Sequence, residues 1–532
     1  MNLKMKLFKI INLIFLITFF GFCHANVEDY LKGIEFKRSF SSIEGKVIDF
    51  HIFMDDMEYN EMVELSQFSM ADLFGRYRGN IPEEIIFNTK VSLNITVDNE
   101  VYSYDKVKFK VGGNSSRAYA KIGFNLKLNK DSFLGRNTLR LRSDFIDIAH
   151  IRSKLAVDLI NKWNIPTVQE TYANVYFNDK FFGLYMLLDA IKPNWIRDVY
   201  DVPEGEIDTL YNCEGQKLAF NPEIVRAICR NEKEEYLNYT QPLYEMIDEI
   251  YEYTTLEQLE TKFDHVDNIR KILIMEYLFS ASDNFIMAGN NFDFYLKSNG
   301  KWEYIPKDFN MVFLLGFDNM LQSIPYQIPR QENLIDYAKV RFEDWHSPDT
   351  VKPFIDIFYY QDQETFIKVM KELLITGFNP DEIFARIDEL AEFLAPYVER
   401  DITPNEDGSL PGRVNVMGIS VNYTMNSFWN SLRNDDYNYG FGLKKYFQVK
   451  FDSVCELYGI DKTEILTKAE LYRKKRSYEI KIYDLNQQVN ELTQMMGPLP
   501  PVEKRQYQRR IDRLLRDIKS NENSLSKIII EY

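Results

Sequence analysis

The chain has 532 residues, with 64 Lys and Arg against 80 Asp and Glu for a formal net charge of −16, and 45% of it is hydrophobic. Eighteen prolines and 23 glycines are too few for a disordered or collagen-like chain, and a surface this acidic repels polyanions, which argues against nucleic-acid binding. At roughly 100–200 residues per domain, the length accommodates two to four domains.

Lys4, Lys6 and Lys9 precede an apolar run from Ile10 to Phe22 and then Cys23-His24-Ala25, the pattern of a secretory signal peptide over residues 1–25. That run is too short to span a bilayer comfortably, and no second one of about 18 residues follows. A secreted or cell-surface protein without stable membrane insertion is therefore expected. Loss of Cys23 would leave Cys213, Cys229 and Cys455. The spacing of the first two suits a loop-closing disulfide in an oxidising compartment, with Cys455 left over. There is no Cys-x-x-Cys and the histidines are scattered, so no zinc site is expected. Asn94, Asn114, Asn238 and Asn422 each begin an Asn-x-Ser/Thr triplet, compatible with a glycoprotein in a eukaryotic host.

In chain order, apolar residues alternate from Val47 to Met54, predicting a strand, and Glu58 to Arg76 follows with helical spacing. Val91 to Val97 and Val101 to Val111 flank Asp98-Asn99-Glu100 as a hairpin. The loop Gly112 to Arg117 leads into a strand at Gly123 to Leu128, and a helix is predicted over Ile151 to Trp163. A further hairpin, Ala173 to Phe177 and Phe181 to Asp189, turns at Asn178-Asp179. Residues 26–192 thus form a strand-rich lobe. Residues 193–465 read as helix-rich, with helices over Leu243 to Tyr253 and Leu256 to Phe263, and an apolar, buried one carrying Ile269, Ile272, Leu273, Met275 and Leu278. Strands followed by helices make an α+β layout. In residues 466–532 the spacing of Tyr478, Ile482, Leu485, Val489 and Leu492, repeated by Tyr507, Ile511, Leu514 and Ile518, predicts a helical hairpin whose seam offers a coiled-coil partner site.

The stretch from Ser282-Asp283-Asn284 to Asp308-Phe309-Asn310 carries the chemistry. Asn299-Gly300 between two aromatic runs predicts a hairpin with a two-residue turn. That register sets Asn291 opposite Asp308, with Cα atoms about 4.5–5.5 Å apart, and leaves Asp283 in the loop before the hairpin mouth. A carboxylate, an amide and a second carboxylate returned by a hairpin suit ATP-dependent phosphoryl transfer. In that arrangement Asn291 and Asp308 hold Mg²⁺ on the phosphates, while Asp283 orients or deprotonates the acceptor hydroxyl. Protein kinases hold a catalytic Asp, an Asn and an Asp-Phe-Gly in this order.

Gly113 to Arg117 with Phe124 to Leu128, Asn178 to Asp189, Asp283-Asn284 with Asn291, and Ile305 to Asn310 together resemble the spore coat protein H (CotH) kinase-like family, in order, over about residues 45 to 465. The resemblance implies a secreted or surface, two-lobed atypical protein-kinase-like fold with ATP and Mg²⁺ between the lobes, acting on Ser/Thr of secreted or surface proteins; fungal relatives include adhesins. It makes Asp283 the catalytic carboxylate, Asn291 and Asp308 metal ligands, and Asn310 the residue at the next metal position. Lys127 becomes the phosphate-contacting lysine, a role that Lys121 or Arg117 could take instead, and Asp189 meets the ribose. Each has a structural alternative: Lys127 as an exposed strand lysine, Asp189 as a turn residue, Arg117 as a donor to its own loop. The family usually reads Pro-Trp-Asp-x-Asp, whereas this chain has Lys307 for the Trp and Asn310 for the second Asp. The lost charge lowers affinity for a hard divalent cation and favours the rival expectation, a catalytically weak kinase-fold adhesin or scaffold.

Overall fold

The computed structural model describes residues 30–532 except 80, 114, 130, 145, 206, 216–218, 322–327, 434, 438–439 and 498–499. The signal-like segment, Cys23 and Asn114 lie outside the described residues. Seven strands build the first part: β1 (Val47–Phe53), β2 (Asn88–Val97), β3 (Glu100–Gly112), β4 (Gly123–Lys127), β5 (Thr138–Arg142), β6 (Glu170–Phe177) and β7 (Lys180–Leu188). They close into a barrel in the order β1-β2-β3-β4-β5-β7-β6. Closure comes from β1, which pairs antiparallel with β2 on one side and parallel with β6 on the other, so no edge of the sheet is left open. Phe50, Ile52, Leu93, Ile95, Phe109, Phe124, Leu126, Leu141, Val175 and Phe177 fill the interior. The strand-rich segment is thus a closed barrel.

Asn178 (φ 47°) and Asp179 (φ 64°) turn β6 into β7 with Phe177 opposite Lys180. Positive φ at both central residues is what a type I′ turn requires, and it explains this Asn-Asp pair. β6 and β7 are buried on both faces, because Tyr172, Leu184, Met186 and Leu188 point away from the barrel into the core of the helical part. This is why the run Phe181 to Leu188 reads as continuously apolar rather than alternating.

At the centre of the helical part lies a helix over Val266–Leu278, with Ile269, Ile272, Leu273, Met275 and Leu278 all buried. A four-stranded sheet in the order β11-β10-β8-β9 packs beside it, made of β8 (Leu210–Cys213), β9 (Cys229–Asn231), β10 (Phe292–Leu296) and β11 (Trp302–Pro306). Cys213 and Cys229 are register partners across β8 and β9 and form a disulfide; Cys455 is buried and free.

The β10–β11 hairpin corrects the expected register. Leu296 pairs with Trp302 and Phe292 with Pro306, while Lys297 and Lys301 close a three-residue loop through Lys297 N donating to Lys301 O at 2.8 Å. Only Gly300 of that loop has positive φ (82°), and the Asn299 side-chain oxygen accepts from Lys301 N at 3.0 Å. A three-residue loop with its glycine in the left-handed region replaces the two-residue turn. Lys307, not Asp308, therefore lies opposite Asn291, with Lys307 N donating to Asn291 O at 3.0 Å. A one-residue slip exchanges the faces of a strand, so Asp308 reaches the site by another route.

At the C-terminus, helices Lys462–Met496 and Pro501–Leu525 pack against each other, burying Leu492, Ile511 and Ile518 of the predicted seam. The first of them is rooted in the main core through Ile465. Among the described residues no helix is long and apolar enough to cross a membrane.

Buried charges tie the barrel to the helices. Asp401, near the end of the helix Pro380–Ile402, takes Lys121 Nζ on Oδ1 at 2.6 Å and Arg413 on Oδ2 at 2.9 Å, with the Lys121 and Asp401 side chains fully buried. Burial, aided by Arg413, lowers Lys121 to about 8. Burial alone would raise Asp401, but its two cations hold it below the usual carboxylate range. Asp401→Ala, which strands both cations, is expected to cost about 3–5 kcal/mol. Chemical denaturation of wild type and variant at pH 7 checks this.

Candidate functional site

The residues singled out in the sequence stand where the central helix ends and the hairpin begins. Here we label the helix Val266–Leu278 α1 and the one-turn helix Phe285–Ala288 α2. The Glu276 carboxylate on α1 accepts from Ile286 N at 2.8 Å, which folds the connecting loop back on α1 and fixes the start of α2. Gly289 ends α2 with φ 60°, and a Cβ there would lie 2.4 Å from Ala219 O, so no other residue fits. Asn291 follows with φ 61°.

This geometry gathers donors around Asp283. Asn290 Nδ2 donates to Asp283 Oδ1 at 3.2 Å, and Asn291 Nδ2 donates to Asp283 O at 2.8 Å and, more weakly, to Oδ2 at 3.4 Å. Asn284 is fully buried, and its Nδ2 donates to Lys307 O at 3.0 Å and Asp308 O at 3.4 Å, lashing the loop to the exit of the hairpin. Asp308 itself has φ 53° and receives Arg142 Nη2 on Oδ1 at 2.9 Å. Burial and the nearby Asp308 charge raise Asp283 to about 6, against the opposing hydrogen bonds from Asn290 and Asn291.

The other expected residues are placed differently. Arg117 donates to Gly113 O at 2.7 Å and Val111 O at 2.5 Å, bracing its own loop. Lys121 is spent on Asp401 and on Leu184 O at 2.6 Å. Asp189 accepts from Ser39 Oγ at 2.6 Å, Gln169 N at 2.7 Å and Arg136 Nε at 3.2 Å inside the protein. All three thus bond to groups within the protein. Lys127 is exposed on the outer face of β4 and makes no ion pair among the described residues. Lys307 is buried and paired with Asp293 at 2.6 Å and Glu214 at 2.9 Å. Asn310 is half-buried, and its side chain bonds to no other described residue.

Two residues at the site escaped the sequence reading: Arg142 and its neighbour Glu170, 3.9 Å from the guanidinium. Burial pushes Glu170 up to about 7, with Arg142 opposing. The legible signal was Thr138-Leu139-Arg140-Leu141-Arg142, a period-two strand with a cationic outer face. Leu139 and Leu141 point inward opposite Leu126 and Phe124, so Arg140, Arg142 and Lys127 share one outer surface.

Asp283, Asn291 and Asp308 supply oxygen donors, and Asn284 adds a buried Oδ1 that no hydrogen bond satisfies. An all-oxygen set with an unsatisfied buried oxygen fits a hard divalent cation such as Mg²⁺. No cluster of three His, Cys, Asp or Glu donors occurs among the described residues; amides make up half of this set.

Because burial keeps Glu276 protonated to about pH 8, against hydrogen bonds from Ile286 N and Phe285 N, the folded state binds its proton more tightly than an unfolded chain titrating near 4.5. Its contribution to stability therefore falls as pH rises between those values. Glu276→Gln keeps an acceptor for Ile286 but cannot ionise. Its melting temperature should match wild type near pH 5 and exceed it by several degrees at pH 8, measured by thermal denaturation over that range.

Comparison with curated protein sequences gives no significant match. The family model described as CotH kinase protein matches residues 109–417, more than half of the chain, from within β3 past Asp283, Asn291 and Asp308. The kinase-like order of carboxylate, amide and returning carboxylate lies inside that match, and the chain belongs to the CotH kinase family.

Proposed function

We propose that this protein is a secreted or surface-located, Mg²⁺-dependent protein kinase that transfers the γ-phosphoryl group of ATP to Ser/Thr hydroxyls of secreted or surface proteins, its barrel and helical part acting as the two lobes. The observation that carries this reading is the gathering of Asp283, Asn291 and Asp308 at the mouth of one hairpin: the Asn291 amide donates to Asp283 O and Oδ2 at 2.8 and 3.4 Å, and Asn284, next to Asp283, donates to the backbone carbonyls of Lys307 and Asp308 at 3.0 and 3.4 Å. Asp308, Asn291 and Asn284 Oδ1 would hold the divalent cation, which neutralises charge on the phosphates. Asp283, held by two amides, takes the proton of the acceptor hydroxyl as its oxygen bonds to the γ-phosphorus and the bond to the β-phosphate oxygen breaks.

A scaffold or adhesin with weak catalysis is the second reading, and Asn310 favours it. The position that the family fills with a second carboxylate carries an uncharged, unbonded amide here. The packed C-terminal helices would then be the interaction module.

Asp283→Ala is expected to leave Mg²⁺-dependent ATP binding nearly unchanged while reducing transfer by about 10²–10⁴-fold, the worth of a general base. Asp308→Ala should abolish the Mg²⁺-dependent part of ATP binding, and Asn310→Asp should strengthen it by adding an anionic ligand. Calorimetric titration with ATP and Mg²⁺, together with radiolabel transfer to Ser/Thr-rich protein, reads all three. Absence of Mg²⁺-dependent ATP binding in both wild type and Asn310→Asp would establish the scaffold reading.

A further inference from the structure

The carboxylate best placed to hold a divalent cation is already paired. Arg142 reaches out of the barrel from the end of β5 and places Nη2 on Asp308 Oδ1 at 2.9 Å. Behind it stands Glu170, 3% exposed at the start of β6 and fixed by Ser153 Oγ at 2.9 Å, with its Oε1 3.9 Å from Arg142 Nη1. The guanidinium is far from saturated. Arg142 Nη1 is buried without a hydrogen-bond partner, and so are Glu170 Oε2 and Asp144 Oδ2 beside it. Other arginines are committed elsewhere: Arg117 braces two carbonyls, and Arg136, although its Nη2 is also unbonded, joins Asp189, Asp198 and Gly135 O, away from the carboxylates of the site. Among the described residues, Arg142 is the barrel cation that touches the site's carboxylates while keeping an unmade donor bond.

We propose that Arg142 is both the exchangeable counter-cation of Asp308 and the phosphate-binding residue of the barrel, an inference that rests on the phosphotransfer reading above. Before nucleotide binds, its guanidinium neutralises Asp308 and relieves repulsion between Asp308 and Asp283. On arrival of nucleotide with its cation, Arg142 gives up Asp308 and turns its free Nη1–H to a phosphoryl oxygen, while Glu170 keeps the head group within reach. A planar guanidinium suits the exchange, because it meets carboxylate and phosphate with the same paired donors. The role foreseen for Lys127, Lys121 or Arg117 thus passes to a residue from the next strand. The Arg142–Asp308 pair also makes the site resist a bare divalent cation, which must compete with a cation already in place.

The two roles predict effects of opposite sign. In the full mature chain, Arg142→Gln should bind Mn²⁺ alone more tightly, by about tenfold, and Mg²⁺·ATP more weakly, by about tenfold or more, each the worth of one charge-assisted hydrogen bond. Arg142→Lys, which keeps the charge but not the fork, should fall between wild type and Arg142→Gln in both titrations and serves if Arg142→Gln does not fold. Mn²⁺ binding is read by electron paramagnetic resonance, nucleotide binding by calorimetry, and folding by circular dichroism. A folded Arg142→Gln or Arg142→Lys with unchanged or weaker Mn²⁺ affinity would make Arg142 a strut between the lobes and overturn the inference. So would unchanged Mg²⁺·ATP affinity. Either result would leave the phosphotransfer reading standing if wild type binds Mg²⁺·ATP through Asp308. Absence of cation and nucleotide binding in wild type and in both variants would defeat both.

Discussion

The site depends on one buried amide. Asn284 is wholly enclosed, and its Nδ2 spans from the loop after the central helix to the backbone carbonyls of Lys307 and Asp308. That bridge fixes where Asp283 stands relative to Asp308, two carboxylates that would otherwise separate by charge repulsion. An amide can do this where a charged group cannot, because it satisfies carbonyls without adding a charge to be desolvated. Its other atom, Oδ1, is left unbonded in a buried position. Such an orphan is costly in a structural role, and it suits the cation site proposed for these residues.

Around this point the protein spends buried charge on joining its two parts. Lys121 and Arg413 meet at Asp401, Arg136 bridges Asp189 and Asp198, and Arg142 meets Asp308. Glu44 sits between Lys154 and Arg38 and is held at about 2, burial notwithstanding. Buried pairs contribute little net stability but penalise any arrangement that leaves one partner alone, so they set the orientation of barrel against helices more than they strengthen it. Three of the groups that chemical type suggested for nucleotide contact, Arg117, Lys121 and Asp189, are used in this way or in bracing a loop.

The family's Trp position is a related case. Lys307 lies opposite Asn291 in the hairpin, and its ammonium turns to Asp293 and Glu214; with Arg140 it holds Glu214 down to about 2 against burial, whereas burial raises Asp293. The substitution thus places a cation beside the site but commits it to two other carboxylates. The charge on Asp308 is then balanced from the barrel side, by Arg142.

The sequence by itself determined what repeats locally. Period-two alternation marked β1, β2 and β3, and apolar runs on either side of a turn marked β6 and β7. Asn178-Asp179 marked a turn that only positive φ allows, and the run Ile269 to Leu278 marked the buried helix. The nearness of Asp283 and Asn291 was also legible, because only a short helix lies between them. Tertiary structure decided the rest. Closure of the barrel joins β1 to β6 across more than 100 residues, a parallel pairing that no local pattern announces. The hairpin slipped by one residue because the side chain of Asn299 and the conformation of Gly300 jointly favour a three-residue loop, a choice between turns of similar energy. The fate of each cation was hidden most completely. Whether a lysine or arginine is solvated, braces a carbonyl or meets a carboxylate depends on which distant surface covers it, and Arg142 meets Asp308 across a separation of 166 residues.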